Sequence, residues 1–95
     1  MIKSEIIATI ARKFTQISEE DVTLGVNLII EQLSDTLSQG DRIEIRGFGS
    51  VAIHYRPPRN AHNPKSGERL VTPGKSSPHF KPGKELRERV NKSTQ

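Results

Sequence analysis

The chain has 95 residues, of which 32% are hydrophobic and 27% charged, and its formal net charge is +4. A chain this short makes one small domain, here taken as residues 1–95, and hides little apolar surface by itself, so dimerisation would relieve the shortage. Cysteine is absent, which excludes disulfides, thiolate metal sites and cysteine nucleophiles and fits a reducing compartment. No apolar run is long enough to span a bilayer, and Met1-Ile2-Lys3-Ser4-Glu5 opens a helix rather than a signal peptide, so a soluble, cytoplasmic protein is expected.

The charge is divided unevenly. Residues 1–40 hold three basic residues and six acids, for −3, whereas residues 41–95 hold twelve basic residues and five acids, for +7. A polyanion is the expected partner of the second half, and nucleic acid comes before an acidic membrane because no helix combines a basic face with a large apolar one.

From Lys3 to about Phe14, the apolar residues Ile6, Ile7, Ile10, Ala11 and Phe14 recur with helical spacing. Ser18 then caps a second helix, with Asp21 three residues on and Glu19 and Glu20 favouring its positive end. This helix runs to about Ser38 and stops at Gly40, a residue suited to a left-handed turn. Val22, Val26, Ile29, Leu33 and Leu37 form one apolar stripe, which Leu24, Leu28 and Ile30 widen beyond half the circumference. Such a helix is either buried between the first helix and a sheet or shared with a second chain. Gly25 within it costs about 1 kcal/mol relative to alanine, which close approach of a neighbouring backbone would explain. Helix, turn, helix also suggests a major-groove reader, but no Lys or Arg lies between Lys13 and Arg42 while Glu19, Glu20, Asp21, Glu31 and Asp35 all do; phosphates would repel this helix.

After Gly40 the period becomes two. Asp41 to Arg46 reads as a half-buried strand, with Ile43 and Ile45 on one face and Arg42, Glu44 and Arg46 on the other. Gly47-Phe48-Gly49 makes a corner, and Ser50 to Arg56 forms the second strand of a hairpin. Gly47-Phe48-Gly49-Ser50-Val51-Ala52 also matches a dinucleotide fingerprint, which requires a strand turning into a helix; a strand follows here, so the match is set aside.

Tyr55 to Leu70 is too long for a turn and too poor in apolar residues for a core, and it carries four basic side chains against one acid. It reads as an extended two-stranded arm, mobile until it meets a partner. Pro57, Pro58 and Pro73 interrupt its pairing, and Asn63-Pro64-Lys65-Ser66-Gly67 reverses it. Arg56, Arg59, Lys65, Arg69 and Lys75 spread along its length. The compact, rigid ring of a proline at the tip suits insertion between base pairs from the minor groove. Ser77 to Phe80 reads as a short strand returning to the sheet, followed by a last helix from about Gly83 to Asn91, whose start is surrounded by Lys81, Lys84 and Arg87; free amides and flanking cations there suit a phosphate.

Arg42-Ile43-Glu44-Ile45-Arg46-Gly47-Phe48-Gly49-Ser50, the tip His62-Asn63-Pro64-Lys65-Ser66-Gly67, and Pro78-His79-Phe80-Lys81-Pro82-Gly83-Lys84-Glu85-Leu86 together resemble the bacterial HU and integration host factor family. The likeness covers nearly the whole chain in order, and its three separate motifs make it specific. It implies an α+β fold: an intertwined dimer with a helical base of two N-terminal helices per chain (residues 1–40), a three-stranded antiparallel sheet (within 41–82) extended into a two-stranded β-arm at about 56–74, and a short C-terminal helix and tail (83–95). It implies duplex DNA as ligand, sharp bending with Pro64 as the intercalating wedge, Arg46 as a minor-groove contact, and Lys3, Lys75, Lys81 and Lys84 on phosphates. The expected DNA-binding set is completed by Arg42, Arg56, Arg59, His62, Asn63, Lys65, Arg69, His79 and Arg87.

Glu44 with Arg46 resembles the beta-type subunit of integration host factor, which implies an alpha-type partner and roles in recombination, transcription control and nucleoid organisation. The rival within the family is an HU-like homodimer with little sequence preference. Ala61 and His62 stand where the family's tip has glycine and arginine, so arm mobility and one contact should differ, the His62 contact varying with pH. Pro73 should interrupt arm pairing, and Ile2, which cannot cap, leaves Ser4 to start the first helix slightly later. No cofactor, metal, small-molecule substrate or membrane partner is expected, nor enzymatic activity: His54, His62 and His79 are far apart in sequence with no ligand spacing. An RNA-binding module would want exposed stacking aromatics, and the three Phe and one Tyr fall mostly at alternating positions expected to be core.

Overall fold

A computed structural model describes residues 1–93, so the end of the expected C-terminal tail, Thr94 and Gln95, lies outside the described residues. The chain forms two compact units, Met1–Asp35 and Thr36–Gln95.

The first unit is built by helix α1 (Lys3–Lys13) and most of α2 (Glu19–Ser38). The apolar spacing of α1 places Ile7 against Val22 and Val26 of α2, with Ile10 and Ala11 packed beside them. Glu5 in the first turn and Arg12 and Lys13 in the last complement the helix dipole. Ile2 has no capping side chain, but its extended backbone lets its carbonyl accept the amides of Glu5 and Ile6 at 3.0 and 3.2 Å. The helix therefore starts at Lys3, without the delay to Ser4 that the missing cap suggested. Ser18 caps α2 as expected: its Oγ accepts the Asp21 amide at 3.1 Å. Glu19, Glu20 and Asp21 occupy the positive end. A Cβ built at Gly25 meets nothing within 4 Å, so a close backbone neighbour within this chain does not account for that glycine.

In the second unit, the end of α2 is closed by a Schellman arrangement, in which Gly40 (φ +82°) donates to the Leu37 carbonyl at 3.0 Å and Asp41 to that of Thr36 at 3.2 Å. Strands β1 (Ile43–Ile45), β2 (Gly49–Arg56) and β5 (Lys75–Pro82) form an antiparallel sheet in the order β1-β2-β5. The corner between β1 and β2 turns at Gly47 (φ +84°), where Phe48 donates to the Ile45 carbonyl at 3.0 Å. Gly49 is required by space: a Cβ there would meet the Lys81 carbonyl oxygen at 2.5 Å and the Phe80 ring at 2.8 Å. The glycine-rich corner leads into β2, which agrees with setting the nucleotide fingerprint aside.

Two strand lengths differ from expectation. β1 pairs only over Ile43–Ile45 rather than from Asp41 to Arg46. β5 is longer than Ser77 to Phe80, because it pairs with β2 from Gly49↔Pro82 to Arg56↔Lys75. Pro78 does not end it, since β5 is an edge strand and its missing amide removes no bond to a further neighbour. Helix α3 (Lys84–Ser93) begins one residue later than Gly83 and extends past Asn91. Gly83 instead donates to the Phe48 carbonyl at 2.9 Å and accepts the Arg87 amide at 3.0 Å, tying the start of α3 to the β1–β2 corner.

Candidate nucleic-acid interface

The second unit carries an arm. β2 and β5 stay paired as far as Arg56↔Lys75; pairing resumes in a separate two-stranded sheet, β3 (Arg59–His62) with β4 (Arg69–Thr72), from Arg59↔Thr72 to His62↔Arg69. Pro57, Pro58, Pro73 and Gly74 fill the gap, and the prolines have no amide to offer a ladder. Pro73 thus interrupts the pairing as expected, near the base of the arm. Gly74 is hemmed in by the Tyr55 hydroxyl and by Pro58, whose Cδ would lie 3.0 Å from an added Cβ. Around this joint Arg56, Arg59 and Lys75 share a cleft of about 340 Å³ with Pro57, Thr72 and Pro73.

Beyond the joint the arm holds no buried apolar side chain: Leu70 and Val71 are 48% and 73% exposed. Its cohesion is the backbone ladder plus the tip. There Asn63 donates its amide to the Glu68 carbonyl, and Gly67 (φ +70°) donates to the Asn63 carbonyl, both at 2.8 Å. The Asn63 Oδ1 accepts the Lys65 amide at 2.9 Å. Pro64 and Lys65 stand exposed at the end. His62 sits opposite Arg69, and Ala61 opposite Leu70.

A second group of expected contacts meets elsewhere in the same unit. Arg42, Arg46, Lys81, Lys84 and Arg87 line one cleft of about 410 Å³, with Glu44 among them. Arg42 and Arg46 flank β1 and Glu44 lies within it, the full length of β5 delivers Lys81 beside Ser50, and the three-residue spacing of Lys84 and Arg87 puts both on one face of the first turns of α3. Arg42 reaches Glu44 at 3.6 Å, but both side chains are well exposed, so this pair is screened and weak. Free amides at the start of α3 add partial positive charge.

Two expected residues have other surroundings. Lys3 belongs to the first unit, where its Nζ donates to the Asn27 Oδ1 at 2.9 Å. His79 stacks on His54 with ring centroids 4.3 Å apart and planes 19° from parallel, a diagonal pair made by the register Ala52↔His79 and His54↔Ser77. Distance in sequence hid this pair, and only the strand register could have revealed it. Among the described residues no three metal-ligating side chains gather, and no helix is long and apolar enough to cross a membrane.

Comparison with known proteins points the same way. A family model described as bacterial DNA-binding protein matches residues 1–91. Integration host factor subunit beta of Saccharophagus degradans is 56% identical over 95 residues, covering 100% of this chain and 97% of the relative. The subunit of the same name from Thioalkalivibrio sulfidiphilus is 59% identical over 91 residues, covering 96% and 95%. Among solved structures, an Anabaena HU–DNA cocrystal structure superposes with a TM-score of 0.80 at 30% identity, covering 95% of this chain and 97% of that one. HU from Thermotoga maritima gives a TM-score of 0.63, also at 30% identity, covering 95% and 98%.

Proposed function

The chain belongs to the bacterial DNA-binding protein family of HU and integration host factor, and from that premise we propose that it is a beta-type integration host factor subunit that bends duplex DNA sharply. It is an architectural DNA-binding protein and not an enzyme. The observation that carries the bending proposal is that one unit holds both a cation-lined cleft and a proline-tipped arm.

Arg42, Lys81, Lys84 and Arg87 would neutralise phosphates along the duplex flank, with Lys3 and Lys75 adding further phosphate contacts. Arg46 would enter the minor groove, where an arginine gains most at sequences that narrow the groove and deepen its negative potential. The arm would follow the groove with Arg56, Arg59, Lys65 and Arg69 along its edges and His62 beside the DNA backbone, which His79 of β5 would meet nearer the sheet. At its end the exposed Pro64 ring would wedge between base pairs. Unstacking a step costs a few kcal/mol, offset by the protein surface that the bent duplex then meets; HU and integration host factor are established examples of minor-groove benders.

A second chain completes the molecule. Leu24, Leu28, Ile29 and Ile30 are among the exposed apolar side chains. Residues 1–40 serve dimerisation in this reading, residues 41–82 the sheet and arm, and residues 83–95 the helix that borders the cleft. The partner is an alpha-type subunit, and the roles are recombination, transcription control and nucleoid organisation in the cytoplasm. The rival is an HU-like homodimer with little sequence preference.

The test is binding to an end-labelled duplex over a range of salt, with the purified chain alone and mixed with an alpha-type subunit. Each neutralised phosphate adds close to one unit to the log-log slope, so a steep fall in affinity is expected, and a flat response would rule out wrapping. Tighter, site-selective binding only in the mixture supports the heterodimer; equal binding of all duplexes by the chain alone supports the HU-like rival.

A further inference from the structure

We propose that Asn63 is the positioning residue of the wedge, acting through the turn around Pro64 rather than as a DNA contact. The inference rests on the reading of Pro64 as the intercalating side chain. A proline ring has a fixed φ, so its direction depends on the backbone torsions on either side. Asn63 restrains both sides at once. Its amide is bound to the Glu68 carbonyl at 2.8 Å and its carbonyl accepts the Gly67 amide at 2.8 Å, closing the loop across Pro64, Lys65 and Ser66. Its side-chain Oδ1 accepts the Lys65 amide at 2.9 Å, holding the residue after the proline.

The far side of the loop is closed more weakly, by Ser66 Oγ accepting the Glu68 amide at 3.3 Å. Asn63 is half-buried while Pro64 and Lys65 are exposed, so its acceptor oxygen is turned into the loop and away from a ligand. The need for such a brace follows from the arm's composition. With Leu70 and Val71 exposed, no apolar packing fixes the tip, and local hydrogen bonds must. Asparagine suits the position because an amide oxygen two residues before the bound N–H makes an Asx turn. Without it the tip spreads over conformers that cannot insert, and the apparent affinity for bent DNA drops by the fraction that still can.

The experiment uses the full chain with its alpha-type partner, and Asn63→Ala, Asn63→Asp and Pro64→Ala variants. Two readouts are taken: hydrogen exchange at the Lys65 amide without DNA, and bending by energy transfer on an intact duplex and on the same duplex nicked at the kinks mapped with the unaltered protein. Asn63→Ala should speed Lys65 exchange severalfold and weaken binding of the bent intact duplex about tenfold, the effect of one lost hydrogen bond. The nicked duplex, already unstacked, should bind nearly as before. Asn63→Asp keeps an acceptor and should keep the slow exchange. Unchanged bending by Asn63→Ala, where Pro64→Ala loses it, overturns the brace and leaves the wedge standing. Equal losses by Asn63→Ala on both duplexes also overturn it, by making Asn63 a DNA contact. If Pro64→Ala itself bends DNA fully, the wedge reading fails and the brace with it.

Discussion

The cleft and the arm of the second unit offer themselves to a polyanion by opposite means. In the cleft, side chains carry the charge and the scaffold holds them still. Arg42 and Arg46 flank β1, Lys81 comes from the end of β5, and Lys84 and Arg87 come from α3. These elements are locked where Phe48 and Phe80 pack with ring centroids 5.2 Å apart and where Gly83 donates to the Phe48 carbonyl. The arm has strands of four residues each and no apolar packing of its own. What it contributes is reach and one rigid ring. In the proposed reading the two regions divide the labour: fixed cations would neutralise phosphate, which needs little shape, whereas insertion would need shape at one point and freedom elsewhere.

The harshest way to break the comparison is to damage one side only. Gly49→Ala forces a methyl group onto the Lys81 carbonyl and the Phe80 ring. Overpacking against backbone should cost about 3 kcal/mol, seen as a lower urea midpoint. The tip bonds should survive it, so Lys65 amide exchange should be unchanged under native conditions. Removing two cleft cations together, Lys81→Ala with Lys84→Ala, should lower the log-log salt slope by about two while leaving the bend at saturation in place. Arg46→Ala alone should lower preference for a specific site over random duplex about tenfold if it reads groove width. Equal losses on both duplexes would reduce it to a neutralising charge. The mildest change lies outside the comparison and serves as its control: Ser18→Ala removes the α2 cap, costing about 1 kcal/mol of stability by thermal or urea melting without altering slope or bend.

Features set by neighbours in sequence were legible beforehand. Ser18 before three acids marked the start of α2, Gly40 its end, and Gly47 the corner. Pro57, Pro58 and Pro73 marked the break in pairing, because an absent amide is a property of the residue itself. What escaped depended on register or on sheet position. The full length of β5, from Lys75 to Pro82, exceeds the Ser77 to Phe80 that the residues suggest, because an edge strand needs no outward amide at Pro78. The meeting of Arg42 and Arg46 with Lys84 and Arg87 required β2 and β5 to pair as far as Gly49↔Pro82. The stack of His54 on His79 needed the same register. Ile2 differs for another reason: its side chain cannot cap, but its backbone carbonyl accepts the Glu5 and Ile6 amides and starts the helix without one. The bond from the Lys65 amide to the Asn63 side chain is likewise set by the geometry of the tip.

The central claim is that Pro64 supplies shape while the cleft supplies charge, and bending at saturation separates the two most directly. A doubly end-labelled duplex should be titrated to full binding with the unaltered protein and with Pro64→Ala, and the end-to-end distance read by energy transfer. The account predicts that Pro64→Ala still saturates the duplex, with a salt slope near that of the unaltered protein, but leaves its ends much farther apart. Equal end-to-end distances for the two proteins would contradict it.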